Sequence, residues 1–268
     1  MNMRVYNPEG SALRQCQNEI LEILVKFDQI CKEHNIKWWL CGGTLLGAAR
    51  HGGFIPWDDD IDVTMMMSDY RKLKRILKRL NDDKYVFQCS ETDPDYIYPF
   101  GRFRKRDGNV GCTKPRSRFY KYKGPFIDVF CIEKSSHFSA KAARMFYSEW
   151  LIHTERIENK FLRHMAIRSI QFTNLILLRP LCRLIGKFGN SDGQYHIRLG
   201  SVFTRFSYYK EHIFPLSTIE FEGISFPAPG NVDAYLTNFY GDWHKLPSEA
   251  SIRRAIHSPV FIKEIFGE

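Results

Sequence analysis

The chain has 268 residues, 44% of them apolar and 15% aromatic, enough for a substantial core in one large domain or two modest ones without disulfide staples. Lys and Arg number 39 against 30 Asp and Glu, a formal charge of +9 that favours phosphate-bearing partners (nucleotides, nucleic acid or an anionic membrane) without choosing among them. Seven cysteines with no CxxC pair argue against zinc or a disulfide framework, and the lack of an apolar leader or of an uncharged 18-residue run predicts a cytoplasmic chain that does not span a bilayer.

From residue 11 to about 34, Leu13, Cys16, Ile20, Leu24, Phe27 and Cys31 recur at helical intervals, which predicts an amphipathic helix. IKWWLCGG then reads as a buried strand breaking into a glycine turn, and TLLGAARHG as a brief helix whose alanines and glycines imply close packing. IDVTMM is a second strand. Ser68 is placed to cap the helix DYRKLKRILKRL, apolar on one face and basic on the other. KYVFQCS, YIYPFGRFRKR and GPFIDVFCIE are three further strand candidates. This alternation, up to about residue 133, predicts an α/β or α+β architecture. Residues 138–188 are helical by pattern, IEFEGISF is a hairpin turning at Glu222 and Gly223, and NVDAYLTNFYG is a capped helix. The division expected is a catalytic core over 1–135, a helical region over 136–218, and a hairpin with C-terminal helices over 219–268 that packs back on the core.

The stretch HGGFIPWDDDIDV concentrates four aspartates between residues suited to a core. Two carboxylates about 4 Å apart repel by roughly 4 kcal/mol at an effective dielectric of 20. On a strand, Asp60 and Asp62 would share a face with Cα atoms about 7 Å apart. Asp128, a lone acid in the apolar strand GPFIDVF, could complete a set able to hold a divalent cation. A solvated acidic turn is the plainer alternative. The turn Gly42-Gly43-Thr44, between a strand and a helix, could offer N–H groups and a hydroxyl to a phosphate.

Taken together, CGGTLLGAARHGGFIPWDDDIDVTM closely resembles the signature of the LicD family, within the nucleotidyltransferase-fold superfamily that also holds the fukutin-type enzymes; YIYPFGRFR, GPFIDVF and YGDWHKLP fit as well. The resemblance implies a mixed sheet flanked by helices, with Gly43 and Thr44 at the nucleotide phosphates and Asp60, Asp62 and Asp128 binding Mg2+, with Mn2+ as a substitute. It also implies transfer of a phospho-alcohol from a CDP-linked donor, CDP-choline first among candidates, to a hydroxyl of lipopolysaccharide, teichoic acid, capsule or a related glycan. Nucleotidyl transfer from an NTP, or a noncatalytic nucleotide- or RNA-binding module, are the competing readings, with nucleic acid the less expected partner.

Other residues carry narrower expectations. Arg102 and Arg104 share a strand face with Tyr98 and Phe100 and could grip a diphosphate; the alternative is a basic edge strand. Arg50 could neutralise the phosphate of leaving CMP, and His51 could take the acceptor proton. Asp242, in the motif YGDW, could touch substrate or merely end a helix. The basic and apolar mixture from 156 to 187 could lie peripherally on an anionic membrane or be a core helix with a wet basic face.

Overall fold

A computed structural model of the chain describes residues 6–108, 119–135, 153–173, 194–197, 207–256 and 259–266, with Leu151 and a few single positions between 176 and 184. The predicted helices over 138–150 and most of 174–193, the basic stretch 109–118, Cys112 and Cys182 lie outside the described residues.

Helix α1 (Ala12–Glu33) begins where the Ser11 hydroxyl accepts from the Arg14 N–H, and Leu13, Ile20, Leu24, Phe27 and Cys31 form its buried stripe. Strand β1 (Trp38–Leu40) leads into α2 (Gly42–His51), and β2 (Asp62–Met66) runs directly into α3 (Met67–Leu80). Ser68 is not the cap of α3. The helix opens one residue earlier, and the Ser68 hydroxyl donates to Asp69 within the first turn. Strands β3 (Tyr85–Gln88), β4 (Gly101–Lys105) and β5 (Phe126–Lys134) follow. Strand β4 takes only the end of YIYPFGRFRKR: Tyr98 and Phe100 precede it in the loop.

The order across the sheet is β1-β2-β5-β4-β3, with β2 and β5 parallel and the other neighbours antiparallel; β6 (Tyr195–Ile197) pairs antiparallel with the end of β5. It is the mixed sheet, flanked by helices, that the sequence predicts. Helix α1 packs on β4 and β5, where Phe27 meets Trp38 and Phe103 at ring distances of 5.3 and 5.7 Å. Helix α3 packs on β2, β3 and β5. Within the predicted helical stretch, α4 (Lys160–Thr173) follows a 3-10 turn at Thr154–Arg156. Cys16, Cys31, Cys41, Cys89 and Cys131 are not joined in disulfides.

After the short α5 (Lys210–Ile213), β7 (Ser217–Phe221) and β8 (Ile224–Ala228) form the expected hairpin, with Glu222 and Gly223 both at positive φ, and β8 lies against β1. Helix α6 (Val232–Tyr240) is capped by Asn231, and α7 (Glu249–Ala255) and α8 (Pro259–Phe266) end the chain. Glu264 of α8 accepts from the Ala12 and Leu13 N–H groups at 2.7 and 3.2 Å, so the last helix caps the first.

The element that positions the acids is α2 together with the segment returning along it. The helix ends at Gly52, φ 69°, and the chain doubles back. A Cβ on Gly47 would stand 2.5 Å from the Gly53 carbonyl oxygen and 2.8 Å from the Ile55 nitrogen, so only glycine admits so close a passage. Glu222 fixes the return by accepting from the Phe54 N–H at 3.0 Å and from Arg14 at 2.8 Å. Gln17 of α1 donates to the Asp58 carbonyl at 2.9 Å. The returning segment thus delivers Asp58 beside Gly43 at the start of the helix.

Gly47→Ala is expected to lower stability by about 1–3 kcal/mol, as overpacking against backbone does. Urea denaturation reads this directly, and an unchanged midpoint would mean that the returning segment yields without cost.

Candidate active site

The parallel register of β2 and β5 makes Asp62 and Asp128 Cα partners, about 4.8 Å apart as in any neighbouring strand pair. On the other side of Asp128, β4 brings Arg102 into register, and its Nε donates to Asp128 Oδ1 at 2.7 Å. A row Asp62–Asp128–Arg102 therefore crosses three strands. Asp58, Asp59 and Asp60 precede β2, and each can place one carboxylate oxygen within 4.8 Å of the others. Asp60 lies just outside the strand, so its position is set by the turn leading into β2 and not by strand alternation.

The glycine turn lies against these acids. A Cβ on Gly42 would stand 2.8 Å from Asp62 Oδ2, and one on Gly43 2.7 Å from Asp58 Oδ2. Gly42 also has a φ of 55°, which a side chain would resist. Thr44 is buried, and its hydroxyl accepts from the Asp62 N–H at 2.8 Å, while the Cys41 N–H donates to the Asp62 carbonyl at 3.2 Å. Thr44 thus locks the first residue of β2 to the first turn of α2. The unsatisfied N–H groups of that turn make the same end electropositive, which suits an anion held beside the acids.

Burial, then the charges of Asp60 and Asp59, push the Asp58 carboxyl well above the usual carboxylate range. Burial, then Asp60, Asp128 and Asp58, do the same to Asp62, with Arg102 opposing. Burial works against the Arg102 guanidinium, yet Asp128 and the neighbouring tyrosines carry its pKa upward. Its charge lies 3.9 Å over the Phe126 ring, and Tyr96 and Tyr98 flank it at 5.7 and 5.5 Å. Among the described residues, Arg102 is the cation that lowers the proton affinity of Asp62. Among the described residues, the single charge of Arg102 against this group of acids leaves an excess of negative charge that a divalent ion with oxygen ligands fits.

The other expected residues divide. Arg104 does not join Arg102. It is 1% exposed, with Nη1 on Gln88 Oε1 at 2.6 Å and Nε on the Gly124 carbonyl at 3.1 Å, which makes it part of the wall of the sheet. Arg50 donates to the Trp243 carbonyl and keeps a buried Nε with no partner among the described residues. His51 stands at the opposite end of α2 from Gly42, about 13 Å along the helix axis at 1.5 Å per residue. There it borders a cavity of about 410 Å³ shared with Arg14, Phe54 and Glu222. Burial and Arg50 lower its pKa, and the helix axis separates it from the acids.

Asp242 is exposed in the turn after α6, its carbonyl accepting from the Lys245 N–H. The residue of that motif that faces the acids is Tyr240. Its side chain is 44% exposed, and burial of the phenol, with Asp62, Cys41, Asp58 and Asp60, pushes its pKa up. Sequence reasoning chose the charged member of YGDW and passed over the aromatic one. Strand alternation picks out Asp60 and Asp62 and assigns Asp58 no role, because spacing along a strand says nothing of a segment that folds back along a helix.

Comparison with known proteins gives these features a context. The domain described as LicD/FKTN/FKRP, nucleotidyltransferase domain, matches residues 35–175, which takes in β1 to β5 and α4. A lipopolysaccharide cholinephosphotransferase, LicD, of Haemophilus influenzae is 28% identical over 258 residues, covering 88% of this chain and 93% of that protein. An uncharacterised protein of Rickettsia typhi is 37% identical over 143 residues, 47% of this chain and 44% of its own. The human ribitol 5-phosphate transferase FKRP is 56% identical over 34 residues, 13% of this chain and 7% of its own.

A carboxyl with a raised folded-state pKa binds its proton more tightly folded than unfolded, so stability falls as pH climbs above its ordinary value of 3.8 toward the folded value. In chelator, Asp58→Asn is therefore expected to melt above wild type at pH values near 8, with the gap narrowing as the medium is acidified toward 5. Melting curves for the two proteins across that range are the check; a gap independent of pH would remove Asp58 from the repelling group.

Proposed function

The chain belongs to the LicD/FKTN/FKRP nucleotidyltransferase-domain family, and from that premise we propose that it is a Mg2+-dependent phosphotransferase moving phosphocholine from CDP-choline to a hydroxyl of a lipopolysaccharide or similar cell-surface glycan. The observation that carries the proposal is the gathering of Asp58, Asp60, Asp62 and Asp128 at the Gly42-Gly43 turn. The choice of choline and lipopolysaccharide draws its support from the name of the Haemophilus influenzae relative, which aligns with most of the chain.

The donor set is made of hard carboxylate oxygens, the chemistry that Mg2+ and Mn2+ take. Asp60, Asp62 and Asp128 would hold the ion. Bound there, it would offset the mutual repulsion of the acids and polarise the phosphate oxygens of the donor. Arg102 holds Asp128 in orientation. The N–H groups of Gly42 and Gly43 receive a donor phosphate. Asp58, with its raised proton affinity, takes the proton of the acceptor hydroxyl. The freed oxygen attacks the phosphorus bearing choline, a new P–O bond forms, the P–O bond to CMP breaks, and CMP leaves with the electron pair. Positioning and charge stabilisation supply most of the rate in such a displacement.

Asp60→Asn, Asp62→Asn and Asp128→Asn are each expected to fold and to lose activity by about two orders of magnitude or more, as loss of a ligand to an essential ion should. Normal turnover in all three would reduce the cluster to an acidic turn. The donor is identified by thermal shift with CDP-choline, CDP-ethanolamine, CDP-glycerol and CDP-ribitol in Mg2+, since a ligand of the native state raises the melting temperature. CDP-choline should give the largest rise, and EDTA should abolish it. A rise that survives EDTA would favour a noncatalytic nucleotide-binding module.

A further inference from the structure

Helix α4 is built inside out. An amphipathic helix on a soluble domain turns its apolar stripe inward and its charges to water. Here the inward contacts are charged. Arg163 is buried, its Nε on Asp95 Oδ1 at 2.8 Å, its Nη1 on the Ile157 carbonyl at 2.9 Å and its guanidinium 3.6 Å over the Phe119 ring. His164 reaches Asp95 Oδ2 at 3.0 Å. Ile167, with Ile97 and Leu151, supplies a small apolar patch beside them. Outward stand Phe161, Leu162, Met165 and Phe172, each more than half exposed, and four further apolar side chains between 176 and 184 continue in the same state.

Two features decide what covers this face. Lys160 and Arg168 are exposed on the same helix, Arg168 among the outward apolar residues, and the sequence from 159 to 191 contains no Asp or Glu. The core of a protein interface is depleted of charged residues, whereas at a bilayer surface long basic side chains lay their stems along the apolar layer and reach the anionic headgroups. Among the described residues no helix is long and apolar enough to cross a membrane. We propose that α4 and the apolar residues after it lie flat on an anionic lipid surface, as a peripheral membrane-binding face. The helix is tied through Asp95 to the loop bearing Tyr96 and Tyr98, whose rings flank Arg102 in the acid row, so the lipid contact also fixes where the site sits above the membrane. That purpose, presenting the site to a lipid-linked acceptor, rests on the function proposed above; the binding itself does not.

Flotation of the full chain with vesicles tests it, using phosphatidylcholine alone and phosphatidylcholine mixed with phosphatidylglycerol. The protein should float with the mixed vesicles, about tenfold more strongly than with neutral ones, and lose the excess in high salt. The double variant Phe161→Ser, Phe172→Ser, at exposed positions, should keep the wild-type melting temperature and its shift with CDP-choline, and bind mixed vesicles about tenfold or more weakly. Wild type left behind by both vesicle types, or a double variant floating like wild type, would overturn the proposal. So would a wild-type dimer that the double variant turns into monomers without either protein binding vesicles, since a second copy would then be the cover. Because donor binding is read separately, a failure here is distinct from a failure of the proposed chemistry.

Discussion

The structure turns on keeping like charges together at the edge of an apolar core. Trp57, Ile61 and Val63 interleave with the aspartates and are buried, so the backbone of the acidic run is held by the core whatever its side chains prefer. The repulsion between Asp58, Asp60, Asp62 and Asp128 is thereby stored in the folded protein, not relieved by moving apart. Burial weakens the screening that water would give, which makes both the repulsion and its relief by a cation larger. An isolated acidic turn on the surface would simply splay. This one is held by a parallel strand pair, a helix start and a returning segment, each fixed by contacts that involve none of the carboxylates.

Those contacts form a chain of dependence. Asp62 sits in place because Thr44 accepts its N–H and its carbonyl takes the Cys41 N–H. Asp58 sits in place because Gly47 lets residues 53–55 pass, and Glu222, from a hairpin far along the sequence, holds the Phe54 N–H. Arg14 closes the loop by pairing with Glu222 from α1. The C-terminal hairpin and helices are therefore part of the site's scaffold although they lend it few side chains. Arg50 meeting the Trp243 carbonyl, and Tyr240 close enough for Asp62, Asp58 and Asp60 to raise its pKa, are the same dependence seen from the end of α6 and the turn after it.

Legibility followed the range of the interaction. Local signals read well: the start and stripe of α1, the Glu222-Gly223 turn and the capped helix NVDAYLTNFYG need only neighbouring residues to specify them. The acid row was legible too, because a lone aspartate within an apolar strand has few reasons to be there, and Asp128 indeed lies in register with Asp62. What failed were inferences from nearness in sequence. Arg104 shares strand parity with Arg102, yet the Gly124 carbonyl and Gln88 claim it. His51 is only seven residues from Asp58 in sequence, but a helix of ten residues carries it to the far end. Ser68 suits a cap by residue type, and the strand before it runs straight into the helix instead.

Helix α4 marks a different kind of limit. Its sequence is equally compatible with a core helix bearing a wet basic face, since periodicity reveals that two faces differ and not which one turns inward. Asp95 decides the matter. A buried guanidinium without a carboxylate would be costly, and a buried carboxylate without a guanidinium equally so, which makes the Arg163–Asp95 pair the inward side of the helix by electrostatic necessity. With Arg163 inward, the geometry of 3.6 residues per turn sends Phe161, Met165 and Phe172 outward. One acid, 68 residues upstream of its partner, thus determines that the apolar side of the helix faces away from the protein.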